Sequence, residues 1–147
     1  MIRSLRPEDR ALYMKLVDEF YHSPAVAHPV DPNNYEITFD EFMRSDTYTE
    51  CFIIEHEGEP AGYAIIAKTF SQECGGPVIW LEELYILPQF RSMGLGREYF
   101  AFVERELAPR AARLRLEVEP DNSRAIRLYR SLGYTELGYG QMVKELR

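Results

Sequence analysis

Apolar residues recur along this chain with helical spacing in some segments and in short runs in others. Leu12, Leu16 and Phe20 are four residues apart, so they share one face of a predicted helix that begins after Pro7. Thr38 is followed three residues later by a glutamate, which is the spacing of a capping box. This pattern predicts that a second, short helix starts at Thr38.

Short apolar runs bounded by turn residues predict the strands of a sheet. Two of the runs are separated by a turn that contains Gly58, which predicts a hairpin. Another run stops at Pro88. The predicted strands lie at residues 2–5, 48–55, 60–69, 78–87 and 113–118, with two short closing strands from Tyr134 onward.

Residues 82–97 join one of these strands to a helix through a turn that contains glycine and arginine. The helical pattern runs from Leu95 to about Leu107, and the N–H groups of its first turn have no acceptor within the helix. The helix dipole adds partial positive charge at the same place. Gly94 and Gly96 let the backbone approach a bulky anion without a Cβ in the way. The segment therefore predicts an anion-binding turn, and the alternative is that Gly94 and Gly96 only allow the chain to turn.

Composition and charge narrow the classes of function. The 147 residues are 46% hydrophobic and 28% charged, as expected of one soluble domain spanning residues 1–147. No apolar run approaches the ~20 residues that a membrane helix needs, and the first residues lack the apolar stretch of a signal peptide. We therefore expect a cytoplasmic protein with no membrane partner.

The net charge of −7 argues against nucleic acid as a partner and fits a cationic substrate better. Cys51 and Cys74 have neither metal-binding nor redox spacing, and Cys51 sits in a strand-like run that predicts packing. His22 and His28 have no metal-ligand spacing either, so we expect no metal.

Two motifs in this chain are similar to those of the GNAT superfamily of N-acetyltransferases. Arg91, Gly94 and Gly96 match motif A, Gln/Arg-x-x-Gly-x-Gly/Ala. The segment 122–134 resembles motif B, Asn-x-x-Ala-x-x-Leu/Phe-Tyr-x-x-x-Gly-Phe/Tyr, at each of its specified positions. The sequence of residues 80–91 is also locally similar to diamine acetyltransferases. Ser92 departs from the glycine that relatives often carry there.

The resemblance implies an α+β fold in three layers (α/β three-layer). In this GNAT fold a mixed, mostly antiparallel sheet of about six to seven strands is flanked by about four helices. It also implies acetyl-CoA as cosubstrate, with no metal. The cofactor-binding residues implied by the two motifs are Leu84, Tyr85, Ile86, Arg91, Ser92, Met93, Gly94, Leu95, Gly96, Arg97, Asn122 and Ala125.

Acetyl transfer to an amine requires a base for the ammonium and a proton donor for the leaving thiolate. Glu82 is our choice of base, acting directly or through water, and Glu83 is the alternative. On a regular strand Glu82 shares a face with Leu84 and Ile86, but a bulge would change this. Tyr129 matches the family tyrosine that faces the cofactor sulfur. The alternative for Tyr129 is an aromatic side chain packed in the core without a catalytic role. The alternative for Glu82 is a solvated strand residue.

The acceptor is expected to be a primary amine of a small molecule or a peptide, acetylated by direct attack in a ternary complex. Glu82, Glu83, Tyr21 and Tyr35 are candidate acceptor-binding residues. The two tyrosines are included because the resemblance implies that the region of the first two helices forms one wall of the acceptor cleft, with a surface or core position as the alternative. A protein N-terminal or lysine acetyltransferase, and a non-catalytic acyl-CoA-binding module, remain alternatives. The oligomeric state is open, with a homodimer as one alternative, since family members often dimerise.

Overall fold

A five-stranded sheet organises the first part of the chain, residues 1–116, in the computed structural model, which describes all 147 residues. Its strands lie in chain order and pair antiparallel, except that the last two are parallel. The strands are β1 (Ile2–Ser4), β2 (Thr49–His56), β3 (Glu59–Ser71), β4 (Gly76–Ile86) and β5 (Arg113–Leu116).

Four α-helices and several short helical turns complete the chain. The α-helices are α1 (Arg10–Tyr21), α2 (Asn33–Arg44), α3 (Leu95–Phe102) and, in the second part, α4 (Ser123–Ser131). Single 3₁₀ turns lie at Pro7–Asp9, Pro88–Phe90 and Ala108–Arg110, and a π-helical turn at Val103–Leu107 continues α3. None of these helices is both long enough and apolar enough to cross a membrane.

The two faces of the sheet pack against different helices. Leu16 of α1 and Phe39 of α2 join a buried cluster with Ile53 and Tyr63 of the sheet. On the opposite face, Phe52 lies edge-on to Phe102 of α3, with their ring centroids 5.0 Å apart. The alternation of side chains along each strand therefore produces three layers. Cys51 is buried in the first cluster, as the sequence predicts.

The sheet has fewer strands than the six to seven predicted. Residues 134–147 form no strand, so the two predicted closing strands are absent. Gly138 has a φ of +58° and the apolar side chains of this segment are largely exposed, with Met142 fully so. Alternation of apolar residues alone does not make a strand, because a strand also needs a partner backbone for its N–H and C=O groups.

The second helix starts earlier than predicted. α2 begins at Asn33, just after its N-cap residue Pro32, and the N–H of Asn33 donates to the carboxylate of Asp31 at 2.9 Å. Thr38 lies inside this helix, where its hydroxyl donates to the carbonyl of Asn34 at 2.7 Å. Thr38 thus bonds backward within the helix and does not cap it.

Residues 117–147 form the second part of the chain, built on α4. The side chain of Asn122 accepts a hydrogen bond from the N–H of Ala125 at 3.2 Å, which makes it the predicted N-cap. Gly133 follows the helix with a φ of +93°, the left-handed conformation common just after a helix C-terminus. The expectation of a single domain over residues 1–147 stays a prediction.

An ion cluster ties β1 to the turn that precedes α1. The Arg3 guanidinium donates to both oxygens of Asp9, at 2.7 and 3.1 Å, and to Glu55 at 2.7 Å. Asp9 also accepts from the N–H of Arg6 at 2.8 Å. Only 17% of the Arg3 side chain and 9% of the Asp9 side chain are exposed, so solvent screens the pair weakly. The hydrogen bonds from Arg3 lower the pKa of Asp9.

We expect Arg3→Met to lower the free energy of unfolding by about 3 kcal/mol, since it leaves a buried carboxylate without its cation. Because the folded-state pKa of Asp9 is depressed, its contribution is complete above the ordinary value of 3.8 and is lost as the pH falls through the folded value. Urea unfolding between pH 3 and 7 measures both effects. Asp9→Asn should flatten the acid slope by up to about 1.4 kcal/mol per pH unit.

Asp40→Asn is the matched control for this experiment. Asp40 also pairs with an arginine, Arg10, but its side chain is 68% exposed. Exposed pairs contribute little, so this variant should unfold like the wild type at every pH. An equal acid slope in Asp9→Asn and Asp40→Asn would contradict the assignment to the Arg3 cluster.

Candidate active site

A β-bulge interrupts β4 at Glu82. Ile66 lies opposite Leu81 and Ile65 lies opposite Glu83, so Glu82 is the extra residue of β4 between these two positions. The extra residue shifts the alternation of side chains beyond it. Glu83 therefore shares the face of Ile65, which packs against α1 and α2, while the exposed Glu82 occupies the bulge itself.

Two tyrosines hold the Glu83 carboxylate. Tyr63 of β3 donates its hydroxyl to Oε2 of Glu83 at 2.7 Å, and Tyr21 of α1 donates to Oε1. The ring of Tyr21 stacks on that of Tyr35 from α2, with centroids 5.6 Å apart and an interplanar angle of 27°. The structure thus brings together three predicted acceptor-binding residues, Tyr21, Tyr35 and Glu83.

The environment of this carboxylate keeps both donors protonated. Burial, and then the neighbouring Glu83, raise the pKa of Tyr63 far above its ordinary value. Burial and the hydrogen bond to Glu83 raise the pKa of Tyr21 in the same way. Glu82 adds to the effect on Tyr21, so both carboxylates contribute negative potential here. The arrangement suits a cationic ligand.

Tyr63 was not among the candidates chosen from the sequence. Its place depends on the register between β3 and β4, which sets Tyr63 opposite Tyr85 and beyond the bulge. A single extra residue in β4 decides that register, and no local pattern marks it. The run of apolar residues around Tyr63 predicts only a core strand, and indeed its side chain is fully buried.

The predicted anion-binding turn follows directly after β4. Gly94 has a φ of +81° and immediately precedes α3, whose first intrahelical bond runs from the N–H of Glu98 to the carbonyl of Gly94. A Cβ built on Gly94 or Gly96 would meet no atom within 4 Å, so open space lies over this backbone. The N–H groups at positions 95–97 precede that first bond and can serve an anion.

Side chains around the turn divide between the core and solvent. Leu95 is buried, so only its backbone can face a ligand, whereas Met93 and Arg97 are exposed. Arg91 donates through Nε to the carbonyl of Ile86 at 3.0 Å, which ties the turn to the end of β4. Ser92 adopts a φ of +64°, a conformation in which a side chain is strained and glycine is not.

The edge of β4 that faces away from β3 pairs with β5 only along the first part of the strand. The parallel pairing with β5 ends where Leu81 lies opposite Leu116. On the β3 side, the N–H of Leu87 donates to Ala61 at 2.8 Å. Because backbone direction alternates along a strand, the N–H and C=O groups of Leu84 and Ile86 point to the edge away from β3.

Tyr85 has a different environment from its two neighbours. Its carbonyl oxygen lies so close to Gly62 of β3 that a Cβ there would sit 2.1 Å away. Its ring is buried in the cluster with α1, and the guanidinium of Arg91 lies 5.7 Å from the ring centroid. Tyr85 was predicted to bind the cofactor. Its ring instead packs in the core and against Arg91, so its effect on a cofactor would be indirect, through the position of the strand and of Arg91.

Three predicted site residues lie on or next to α4 in the second part of the chain. The side chain of Asn122 caps the helix by accepting a hydrogen bond from the N–H of Ala125. Ala125 is four residues before Tyr129, which is one turn of the helix. Tyr129 is half-buried, which raises the pKa of its phenol. A phenol kept protonated over a wide pH range can act as a proton or hydrogen-bond donor. No group of three or more His, Cys, Asp or Glu side chains could hold a metal ion.

Comparison with protein families and curated proteins gives consistent matches. A family model described as "Acetyltransferase (GNAT) family" matches residues 11–134. A thialysine N-epsilon-acetyltransferase from Bos taurus is 29% identical over 145 residues, covering 93% of this chain and 85% of that protein. An aminoglycoside N(6')-acetyltransferase type 1 from Salmonella typhimurium is 25% identical over 112 residues, covering 74% of this chain and 77% of that protein.

Solved structures resemble this chain in fold. An aminoglycoside N-acetyltransferase, AAC(6')-Iy in complex with CoA, superimposes with a TM-score of 0.76 and 20% sequence identity. The superposition covers 100% of this chain and 95% of that one. At this identity the likeness shows the fold alone, which agrees with the fold class that the motifs imply.

Gly96→Ala tests whether a ligand approaches the turn closely. In the protein alone a methyl group there meets nothing within 4 Å and favours the helix, so stability should stay equal or rise by up to about 1 kcal/mol. The same methyl group would fill the space of a bound pyrophosphate. We expect acetyl-CoA to bind at least about tenfold more weakly by calorimetry.

Gly58→Ala in the β2–β3 turn is the control. Gly58 also has open space for a Cβ, but its φ of +81° means that alanine strains the backbone. This variant should lose stability and keep its affinity for acetyl-CoA. Unchanged affinity in Gly96→Ala would show that the cofactor does not lie against this turn.

Proposed function

This chain belongs to the acetyltransferase (GNAT) family, and we propose that it transfers an acetyl group from acetyl-CoA to a cationic primary amine of a small molecule. The observation that carries the proposal is one continuous segment, residues 82–97. It contains two consecutive carboxylates at the bulge of β4 and, after the 3₁₀ turn that follows the strand, the glycine turn that we assign to an anion. A polyanionic cofactor and a cationic acceptor would thus both meet this segment.

The cofactor binds along the turn and the exposed edge of β4. First-turn N–H groups of α3 and the charge of Arg97 receive the pyrophosphate, with Gly94 and Gly96 giving it room. The pantetheine arm has peptide-like amides, which pair with the outward-directed backbone groups of Leu84 and Ile86 as an added strand would. The N–H of Ile86 polarises the thioester carbonyl.

The acceptor's positive charge is recognised by Glu82 and Glu83. Glu83 accepts hydrogen bonds from two neutral phenols and forms no ion pair with Lys, Arg or His of this chain within 4.0 Å, so it retains its charge for a ligand. The two relatives described above are named for the acetylation of thialysine and aminoglycosides. Small cationic amines are therefore the class of acceptor that we assign to this chain.

The reaction proceeds by direct attack in a ternary complex. Glu82, directly or through water, accepts a proton from the ammonium group, because an alkylammonium with a pKa of about 10 is not nucleophilic until it is deprotonated. The amine nitrogen attacks the thioester carbon, forming the C–N bond, and the C–S bond then breaks. By the resemblance to motif B, Tyr129 gives a proton to the departing sulfur and regains one from the nitrogen. Glu82 releases its proton to water, so the products are the amide, free coenzyme A and one proton.

Release of free thiol from acetyl-CoA, measured with a panel of diamines, amino acids, aminoglycosides and N-terminal peptides, tests this function. We expect turnover with cationic small amines and a loss of about 100-fold in kcat for both Glu82→Gln and Tyr129→Phe. Acetyl-CoA affinity should persist in both variants. Glu59→Gln and Tyr48→Phe, which make the same chemical changes at exposed positions, are the controls.

Other outcomes of the panel separate the alternatives. Turnover confined to peptides would replace the small-molecule acceptor with a protein N-terminus or lysine. Tight acetyl-CoA binding without turnover of any acceptor would favour a binding module. A protein that does not bind acetyl-CoA at all would refute the assignment of the turn at residues 91–97.

A further inference from the structure

We propose that Tyr63 is a positioning residue for the acceptor. Together with Tyr21, it fixes the Glu83 carboxylate as the anchor for the acceptor's ammonium group. The inference rests on the proposed function and adds to it a residue that neither motif contains. It also gives the two carboxylates different roles: Glu83 binds the acceptor's ammonium group, and Glu82 accepts the proton that this group loses.

The hydrogen bonds define the orientation of the carboxylate. Tyr63 and Tyr21 donate to different oxygens of Glu83, one from β3 beneath the site and the other from the end of α1. Tyr63 is fully buried within the strand layer, so its hydroxyl cannot swing to solvent. Two donors on two separate oxygens fix the plane of the group, as a single donor would not.

The charge of Glu83 is not neutralised by these bonds. Both donors are neutral phenols, and no Lys, Arg or His of this chain lies within 4.0 Å of the carboxylate. Each oxygen of a carboxylate can accept a second hydrogen bond, so one acceptor position per oxygen remains. A partly buried, oriented and uncompensated carboxylate is stabilised by a ligand cation that donates N–H groups to it.

The aromatic surroundings favour the same ligand. Tyr21 stacks on Tyr35, and Phe20 lies edge-on to Tyr21 with centroids 4.9 Å apart. Ring faces attract alkylammonium groups, and the attraction increases when the cation is desolvated. Tyr21 ends α1 and Tyr35 lies in the first turn of α2, so this aromatic group spans the two ends of the connecting loop, residues 22–32.

Tyr63→Phe removes one hydroxyl and leaves the ring. We expect KM for the best amine acceptor to rise about tenfold, as for loss of a hydrogen bond to a charged group. The value of kcat should change by less than about twofold, since Glu82 and Tyr129 still perform the proton transfers. The affinity for acetyl-CoA should equal that of the wild type.

Tyr13→Phe is the matched control, because Tyr13 is a buried tyrosine whose ring packs against Tyr63, with centroids 6.5 Å apart. Its hydroxyl makes no hydrogen bond to Glu83, so KM should not change. If both variants raise KM equally, the effect of Tyr63→Phe is one of packing and the proposal fails. Should Tyr63→Phe not fold, the less buried Tyr21→Phe replaces it, with the same expectation.

A double-mutant comparison separates positioning from general damage. In a Glu83→Gln background there is no carboxylate to orient, so adding Tyr63→Phe should change KM by less than about twofold. A second tenfold rise in that background would overturn the proposal. Loss of kcat with unchanged KM in Glu83→Gln would also overturn it, because Glu83 would then be acting as the base.

A binding measurement keeps this proposal distinct from the proposed function. Cadaverine, an alkyl diamine, is titrated by calorimetry into the full chain saturated with coenzyme A. Weaker binding in Tyr63→Phe than in the wild type supports the anchor even if no acceptor is turned over. Turnover by the wild type with identical cadaverine affinity in both proteins would uphold the acetyltransferase and overturn the anchor.

Discussion

The end of the pairing between β4 and β5 is the constraint on which the candidate site depends. Beyond Leu81 and Leu116 the two strands no longer pair, so β5 offers no partner to the backbone of Leu84 and Ile86, and the carbonyl of Ile86 accepts from Arg91 instead. Backbone groups at such an edge need hydrogen bonds from elsewhere, and an extended amide-containing ligand can supply them. The chain then turns at Pro88 and presents the N-terminus of α3, which suits the charged end of the same ligand.

The bulge at Glu82 determines which face of β4 the Glu83 side chain occupies. A regular strand would direct Glu83 toward the α3 face, away from the tyrosines of α1 and β3. One additional residue reverses this and gives consecutive carboxylates different environments, one exposed and one held by two phenols. Bulges are common beside functional sites because they redirect a side chain at little cost to the rest of the sheet.

The sequence was sufficient for the family, the fold class and the order of the elements, because motifs A and B and the apolar runs are local patterns. The family and the fold class are confirmed, whereas the number of strands was overestimated. The predicted start of α2 was also wrong, because the helix already begins at Asn33 and Thr38 donates backward to Asn34 within it. Tyr63 could not be found, since its partnership with Glu83 depends on an interstrand register.

The strand order has a consequence for how the protein acquires its binding site. Strands β2, β3 and β4 follow one another and pair as neighbours, so these contacts close short loops and can form early. The β4–β5 pair is parallel and requires a crossover through α3, so its contacts close a longer loop. The Tyr63–Glu83 contact therefore belongs to a strand pair joined by a short turn, whereas the edge of β4 that we assign to acetyl-CoA is bounded by a pair that spans a long connection.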